Sequence, residues 1–387
     1  MELTLSSEQE MFADTTRKFL DEQMPATRLR ALRADPAGYP AEYWRRGAEL
    51  GWTALLASER DGGGSISASP LGDLALVAFE FGRHAAPGPL LSTNVVAGAV
   101  SRRGSPAQRA AILPGLLSGA VTGAWALAEP RPDDAFGSVT AQAVVSADTV
   151  RLSGVKAPVE GVAGAGPLLV TARSGDGLTQ LLVPVDAPGV SVTPMGSIDL
   201  TRRFATVRFD DVELPRSAVL GDVGQAGPDV DGQLRVAVAL TLAEMTGAMD
   251  RAFELTVQWA FDRYSFGRPL ASYQELKHRF ADMKLWLEAS HAITDSAVRA
   301  VAGDAPNAWD LLSAGKAYAG HYGVELVQDC VQLHGGIGVT FDHDMHLYLR
   351  RVTLGSRLYG SVGEHRERLT AALEAHVEEE GADDDRR

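Results

Sequence analysis

Arg263-Tyr-Ser-Phe-Gly-Arg-Pro-Leu-Ala-Ser-Tyr-Gln274 interrupts a long helical pattern and is read together with Gln332-Leu-His-Gly-Gly-Ile-Gly338. Both stretches combine guanidinium, hydroxyl, amide and small-residue backbone, the groups that hold a pyrophosphate-bearing ligand. Arg263 supplies a planar fork for a phosphate, Ser265 a hydroxyl, and Gln274 and Gln332 amides. Gly335, Gly336 and Gly338 lack Cβ atoms, so backbone there can lie directly against a ligand. Spacing alone leaves a plainer reading open. In it Phe266-Gly267 closes one helix, Pro269 opens the next segment, and Gly335-Gly336 is an ordinary break.

The run Arg-x-Ser-Phe-Gly-Arg-Pro-Leu-x-x-x-Gln, followed by Gln-Leu-His-Gly-Gly-Ile-Gly, resembles the acyl-CoA dehydrogenase family. The likeness holds in order and spacing over the whole chain and is most specific in its last third. It implies that Arg263, Ser265, Phe266 and Gln274, with Gln332, Gly335 and Gly336, reach across a dimer interface. There they would hold the adenosine and pyrophosphate of a neighbour's FAD, with Phe266 packing by its face on the ring system.

Composition agrees with an ordinary folded protein. The 387 residues are 45% hydrophobic and 22% charged, enough for two or three domains with a large core. No apolar run is long enough to span a membrane, and the N-terminus lacks the pattern of a secretory signal. A net charge of −14 argues against a nucleic-acid partner, which needs a basic face. Cys330 is the single cysteine, so no internal disulfide forms; the expectation is a cytoplasmic protein with Cys330 as a buried small hydrophobe.

Taken in order, residues 1–120 read as helical, with Ser6 or Ser7 as a first cap and Pro106 in the first turn of a later helix. His84 sits in a turn, where a packing or interface role is expected. Residues 121–229 alternate Val, Thr and Leu with small polar residues. Turn signals recur at Ser146-Ala-Asp, Ser174-Gly-Asp-Gly, Asp186-Ala-Pro-Gly and Asp210-Asp-Val, which predicts a β-barrel or sandwich. Residues 230–377 return to helix as a four-helix bundle, its last member over Val352 to Val377. The acidic run 378–387 reads as a frayed, disordered tail. The fold class is therefore α+β, a helical domain, a β domain and a helical bundle, which is the architecture the resemblance implies.

Three features of the family's own active site are changed. Its usual catalytic glutamate, in a Tyr-Glu-Gly-Thr sequence, falls here in Leu358-Tyr-Gly-Ser361, so Tyr359 takes its place. A phenol with a pKa of about 10 is a poor base at neutral pH. The alternative position for the base, on the first bundle helix, is Ala237. Glu244, two turns further on, is read as a packing or interface carboxylate. The flavin-ring loop Thr-Glu-Pro-Gly-Ala-Gly-Ser-Asp becomes Ala128-Glu-Pro-Arg-Pro-Asp-Asp134, where Pro132 removes an amide donor. Lys-x-Trp-Ile-Thr becomes Lys156-Ala-Pro-Val-Glu160, which loses the Trp and the hydroxyl and adds a carboxylate.

The chain thus keeps the half of the FAD site it would lend and changes the half it would use. That pattern resembles the non-catalytic subunit of actinobacterial α2β2 acyl-CoA dehydrogenases acting on steroid side-chain CoA esters. The expectation is no catalytic residue in this chain, FAD shared with a partner subunit, and substrate held mainly by that partner. An electron-transferring flavoprotein is the acceptor the resemblance implies. Two other readings stay open: a self-contained homomeric dehydrogenase with Glu244 as base, and a flavin-free acyl-CoA-binding or scaffold protein.

Overall fold

The computed structural model describes residues 5–130 and 139–384. Arg131 to Asp134 of the changed ring loop, Pro132 included, lie outside the described residues. Six helices come first: α1 (Ser7–Gln23), α2 (Ala26–Ala31), α3 (Ala41–Glu49), α4 (Pro70–Arg83), α5 (Leu90–Arg103) and α6 (Pro106–Leu117). Ser6 caps α1 and Ser105 caps α6, each in a reciprocal box with the glutamine three residues on. Trp52 anchors this region, its ring 5.3 Å from Phe19 and 5.0 Å from Phe81 with edge-to-face geometry. α5 is buried along its length from Leu90 to Ser101, because it runs between α6, α7 and the first strand.

The middle of the chain forms strands β1 (Thr122–Ala126), β2 (Gln142–Val145), β3 (Thr149–Glu160), β4 (Ala165–Ser174), β5 (Gly177–Pro184), β6 (Val190–Met195), β7 (Phe204–Pro215) and β8 (Val219–Leu220). They make one sheet in the order β6-β7-β3-β2-β4-β5-β8, with β1 added parallel to β4. The alternation along β4 serves two cores. Leu168 and Val170 point into the sheet's own core, while Leu169 joins the large helical core. Asp210-Asp-Val, expected as a turn, lies instead inside β7. The pairing of β7 with β3 slips there, and Asp211 takes φ of 48°, so the two aspartates form a bulge that keeps both carboxylates out of the core.

The last third comprises α7 (Gly227–Asp262), a small hairpin of β9 (Tyr264–Ser265) and β10 (Arg268–Pro269), then α8 (Gln274–Ala302), α9 (Ala308–His334), α10 (Met345–Gly355) and α11 (Val362–Asp384). The single helix expected from Val352 is two. The break falls at Tyr359 and Gly360, both with positive φ, after which Ser361 and Glu364 form a new capping pair. The backbone of 378–384, expected as a frayed tail, continues α11 as helix, and 385–387 lie outside the described residues. No helix among the described residues is long and apolar enough to cross a membrane.

α4 and α7 cross backbone to backbone. A Cβ on Gly82 would stand 1.9 Å from the Glu244 carbonyl oxygen, and one on Gly247 would stand 2.0 Å from that of Phe79. Backbone cannot rotate away as a side chain can. Gly82→Ala is therefore expected to destabilise the chain by about 1–3 kcal/mol, read as a lower midpoint in thermal unfolding.

Candidate functional site

The two motif stretches lie at an exposed place, and Glu160, Glu244 and Tyr359 at a buried one. α7 connects them: at roughly 1.5 Å of rise per residue, Arg263 lies about 28 Å along it from Glu244.

At the exposed end, β9 and β10 are joined by Phe266 and Gly267, with φ of 50° and 80°, the signature of a two-residue type I′ turn. Phe266-Gly267 is thus a hairpin tip and not the close of a helix. The turn is held from below. Tyr273 Oη donates to the Ser265 carbonyl at 2.7 Å, and the Arg268 guanidinium lies 3.9 Å over the Tyr273 ring. The Leu270 amide donates to the Arg263 carbonyl at 2.9 Å. Phe266 itself is 97% exposed. A phenylalanine in the left-handed region with its ring in solvent is strained and unpacked, and nothing within the described residues repays either cost.

Arg263, Gln274 and Gln332 are exposed, and none of their side chains has a hydrogen-bond partner among the described residues. Ser265 is half-buried. The three glycines of the second stretch differ in what the chain requires of them. Gly335 closes α9 with φ of 65° and ψ of −144°, a conformation reserved for glycine. A Cβ on Gly338 would stand 2.5 Å from the Val331 carbonyl oxygen. At Gly336 a Cβ would meet nothing within 4 Å, so the open backbone there answers to no demand of this chain's fold. Phe261, Tyr264, Ile337, Val339 and Phe341 are exposed around the same two stretches. The chemistry available is that of an exposed apolar surface with unspent donors and approachable backbone, suited to an anionic, partly aromatic ligand.

At the buried end the charged groups face one another. Both oxygens of Glu160 accept from Arg202, through Nε and Nη2 at 2.6 Å each. Arg202 Nη1 reaches Glu244 at 3.3 Å. The other oxygen of Glu244 pairs with Arg351, which also binds Asp199, Thr201 and the Ala86 carbonyl. Burial pushes the Asp199 carboxyl up, but Arg351 beside it wins and holds it below the usual carboxylate range. Tyr359 stacks on Trp125 with ring centroids 5.7 Å apart, and burial together with the Glu160 charge pushes its phenol up. The space enclosed beside Arg202 and Glu244 is about 10 Å³, close to the limit for one water. Ala237 is fully buried in α7.

Lys156 and Glu129 form a second pair. Lys156 is fully buried, its Nζ donating to Glu129 at 2.8 Å and to the Leu127 carbonyl at 2.9 Å. Glu129 also accepts from the Thr140 and Ala141 amides. Burial raises its carboxyl, but the Ala141 amide and Lys156 outweigh this and bring it down to about 2 from 4.5. A depressed carboxyl stabilises the fold fully above its unfolded pKa and loses that contribution as pH falls towards the folded value. Glu129→Gln is expected to destabilise by about 3–5 kcal/mol near neutral pH, because Lys156 stays buried and unpaired. The gap to the unmodified chain, followed by denaturant unfolding, should narrow below pH 4.5.

Sequence reasoning singled out Glu160, Glu244, Lys156 and Tyr359 but missed Asp199, Arg202, Arg351 and Trp125. One signal was present. Arg351 falls on the buried stripe of α10 with Leu347, Tyr348 and Gly355, and a charge on such a stripe needs a partner. The partners themselves are more than a hundred residues away and could not be named. Cys330 is buried in α9, its thiol pushed up to about 12 by burial. His84 ends α4, with Nδ1 donating to the Glu80 carbonyl at 2.8 Å. No metal-ligand cluster exists among the described residues.

Helices before and after a sheet match known proteins. Residues 6–120 match the family model for the acyl-CoA dehydrogenase N-terminal domain, and residues 230–373 match that for the C-terminal domain. The chain belongs to the acyl-CoA dehydrogenase family. It is 31% identical to Acyl-CoA dehydrogenase IpdE2 of Mycobacterium tuberculosis, over 96% of this chain and 99% of that protein. A solved structure described as a variant of the Tcur3481-Tcur3483 steroid ACAD is 30% identical, with a TM-score of 0.87, over 97% of this chain and 99% of that one. The ChsE4-ChsE5 complex from Mycobacterium tuberculosis shares the fold, with 22% identity and a TM-score of 0.87 over 96% of this chain and 99% of that one.

Proposed function

We propose that this chain is the non-catalytic subunit of a heteromeric, FAD-dependent acyl-CoA dehydrogenase, and that it completes the FAD site of a catalytic partner. The observation that carries this reading is the contrast between its two ends. Donors at Arg263, Gln274 and Gln332 are exposed and unspent, while Glu160, Glu244 and Asp199 are tied to Arg202 and Arg351. Members of the family bind FAD. The exposed set fits its phosphates and adenosine: Arg263 as the fork, Ser265 as hydroxyl donor, the two glutamines as amides, and Gly335-Gly336 as approachable backbone. The buried set does not fit the flavin ring, because the guanidinium donors there are already committed to carboxylates. FAD, when bound, supplies the hydride acceptor; the residues of this chain hold and orient it.

The acyl-CoA thioester and its base then belong to the partner in an α2β2 assembly. A steroid side-chain CoA ester is the substrate class, supported by the likeness to the Tcur3481-Tcur3483 steroid ACAD. An electron-transferring flavoprotein serves as acceptor, and the complex works in the cytoplasm. Glu244 is a weak candidate for an independent base, since each of its oxygens is held by a guanidinium.

The test is the visible spectrum of the chain alone, then as a complex with its catalytic subunit. A colourless single chain and a yellow complex, with about one FAD per heterodimer, are the expected results. A yellow single chain bleached by an acyl-CoA would overturn the proposal and return Glu244 to the base position. No flavin in either sample would favour the scaffold reading.

A further inference from the structure

The two cofactor-holding stretches are far apart in sequence, yet one stack of side chains joins them. The Arg263 guanidinium lies 6.0 Å from the Trp259 ring centroid. Trp259 stacks on His334, centroids 5.3 Å apart and planes 21° from parallel. His334 in turn meets His343 at 4.5 Å. His334 is the last residue of α9, immediately before Gly335, and its ring is fixed by Nδ1, which donates to the Cys330 carbonyl at 2.7 Å. Gly338 closes against the same residue, because a Cβ there would stand 2.9 Å from His334 Cβ.

We propose that Trp259 and His334 are positioning residues of the lent half-site: their stack sets Arg263 and the Gly335-Gly336 turn in one register, so that both reach a single pyrophosphate. The inference rests on the reading above that Arg263 and the glycine turn hold FAD.

Three observations support it beyond contact alone. The Arg263 side chain has no hydrogen bond or ion pair among the described residues, so the Trp259 face is what its guanidinium rests on. An exposed arginine with no such contact samples many rotamers, and ordering it on binding would cost affinity. The Trp259 indole N–H is buried without a hydrogen-bond partner. The polar atom that distinguishes tryptophan is thus idle inside the chain, and what remains is its broad face, the best surface for a guanidinium. Finally, burial pushes His334 below its ordinary pKa, so at neutral pH the ring is uncharged and stacks without repelling Arg263 through the indole.

The experiment compares Trp259→Leu, Trp259→Phe, His334→Leu and Arg263→Ala, each purified as the complex with the catalytic subunit. Three quantities are read: FAD per heterodimer, FAD affinity after apo-complex reconstitution, and heterodimer mass by size-exclusion chromatography with light scattering. Trp259→Leu is expected to weaken FAD binding about tenfold at unchanged assembly, and Trp259→Phe to stay within about twofold of the unmodified complex. His334→Leu should fall with Trp259→Leu, and combining either with Arg263→Ala should add little, because the stack acts through that arginine.

A tenfold loss with Arg263→Ala and none with Trp259→Leu would overturn the positioning role and leave the lent half-site intact. No loss with Arg263→Ala would overturn the half-site itself. Equal losses with Trp259→Leu and Trp259→Phe would mean bulk packing, not the aromatic face, and would also refute the inference. If Trp259→Leu alone fails to assemble, His334→Leu decides the matter: a loss of about tenfold at unchanged assembly supports the stack, and no loss overturns it.

Discussion

Arg263→Ala, measured in the assembled complex, is expected to lower FAD affinity by at least about tenfold while leaving the thermal midpoint of the isolated chain unchanged. A charge-assisted bond from guanidinium to phosphate contributes about 1.5–3 kcal/mol, which sets that scale. The absence of any effect on the free chain follows from its surroundings, since the Arg263 side chain is exposed and makes no ion pair among the described residues. Gly336→Ala is the companion substitution. Its Cβ meets nothing within 4 Å in this chain, so folding should tolerate it, and FAD loss would then report the ligand's approach to that backbone. Reconstitution of flavin-stripped complex, followed by absorbance, reads both. If both variants retained FAD at full affinity, these stretches would have no cofactor role.

The second large effect concerns the buried end. Arg351→Met is expected to destabilise the chain by about 3–5 kcal/mol, because it leaves Asp199 and part of Glu244 buried without their cation. For a chain of this length that corresponds to a fall of about 5 °C in the unfolding midpoint. Asp199→Asn together with Arg351→Met should recover part of the loss, since an apolar or neutral replacement of a whole pair is far cheaper than a stranded partner. Calorimetry of the single and double variants checks this. A single variant as stable as the parent would mean that water reaches Asp199 and that the network is not truly desolvated.

Much of this arrangement was legible in the chain. The helix, sheet and helix order followed from periodicity, and the serine cap of α1 and the first-turn proline of α6 were written in their first residues. The two motif stretches stood out through their resemblance to a family, since their spacing alone left the plainer reading of a helix break open. Out of reach was whatever depends on distant partners. Asp210-Asp211 carries a turn signature, yet the neighbouring strand pairs past it and converts it to a bulge. The break at Tyr359-Gly360 has only one glycine to announce it. Glu160 was visible as an added carboxylate, but Arg202 and Arg351 as its surroundings were not, because folding alone brings them together.

The buried charge network also limits what a single substitution can do at this end of the chain. A glutamate placed at position 359 would enter a site whose carboxylates already have partners. Glu160, Asp199 and Glu244 would remain bound to Arg202 and Arg351, and Trp125 would lose the ring it stacks on. Any set of substitutions that clears these groups one at a time begins by stranding a buried charge and weakening the fold. Such a cluster resists piecemeal change: exchanging its pairs without stranding a charge takes several coordinated substitutions.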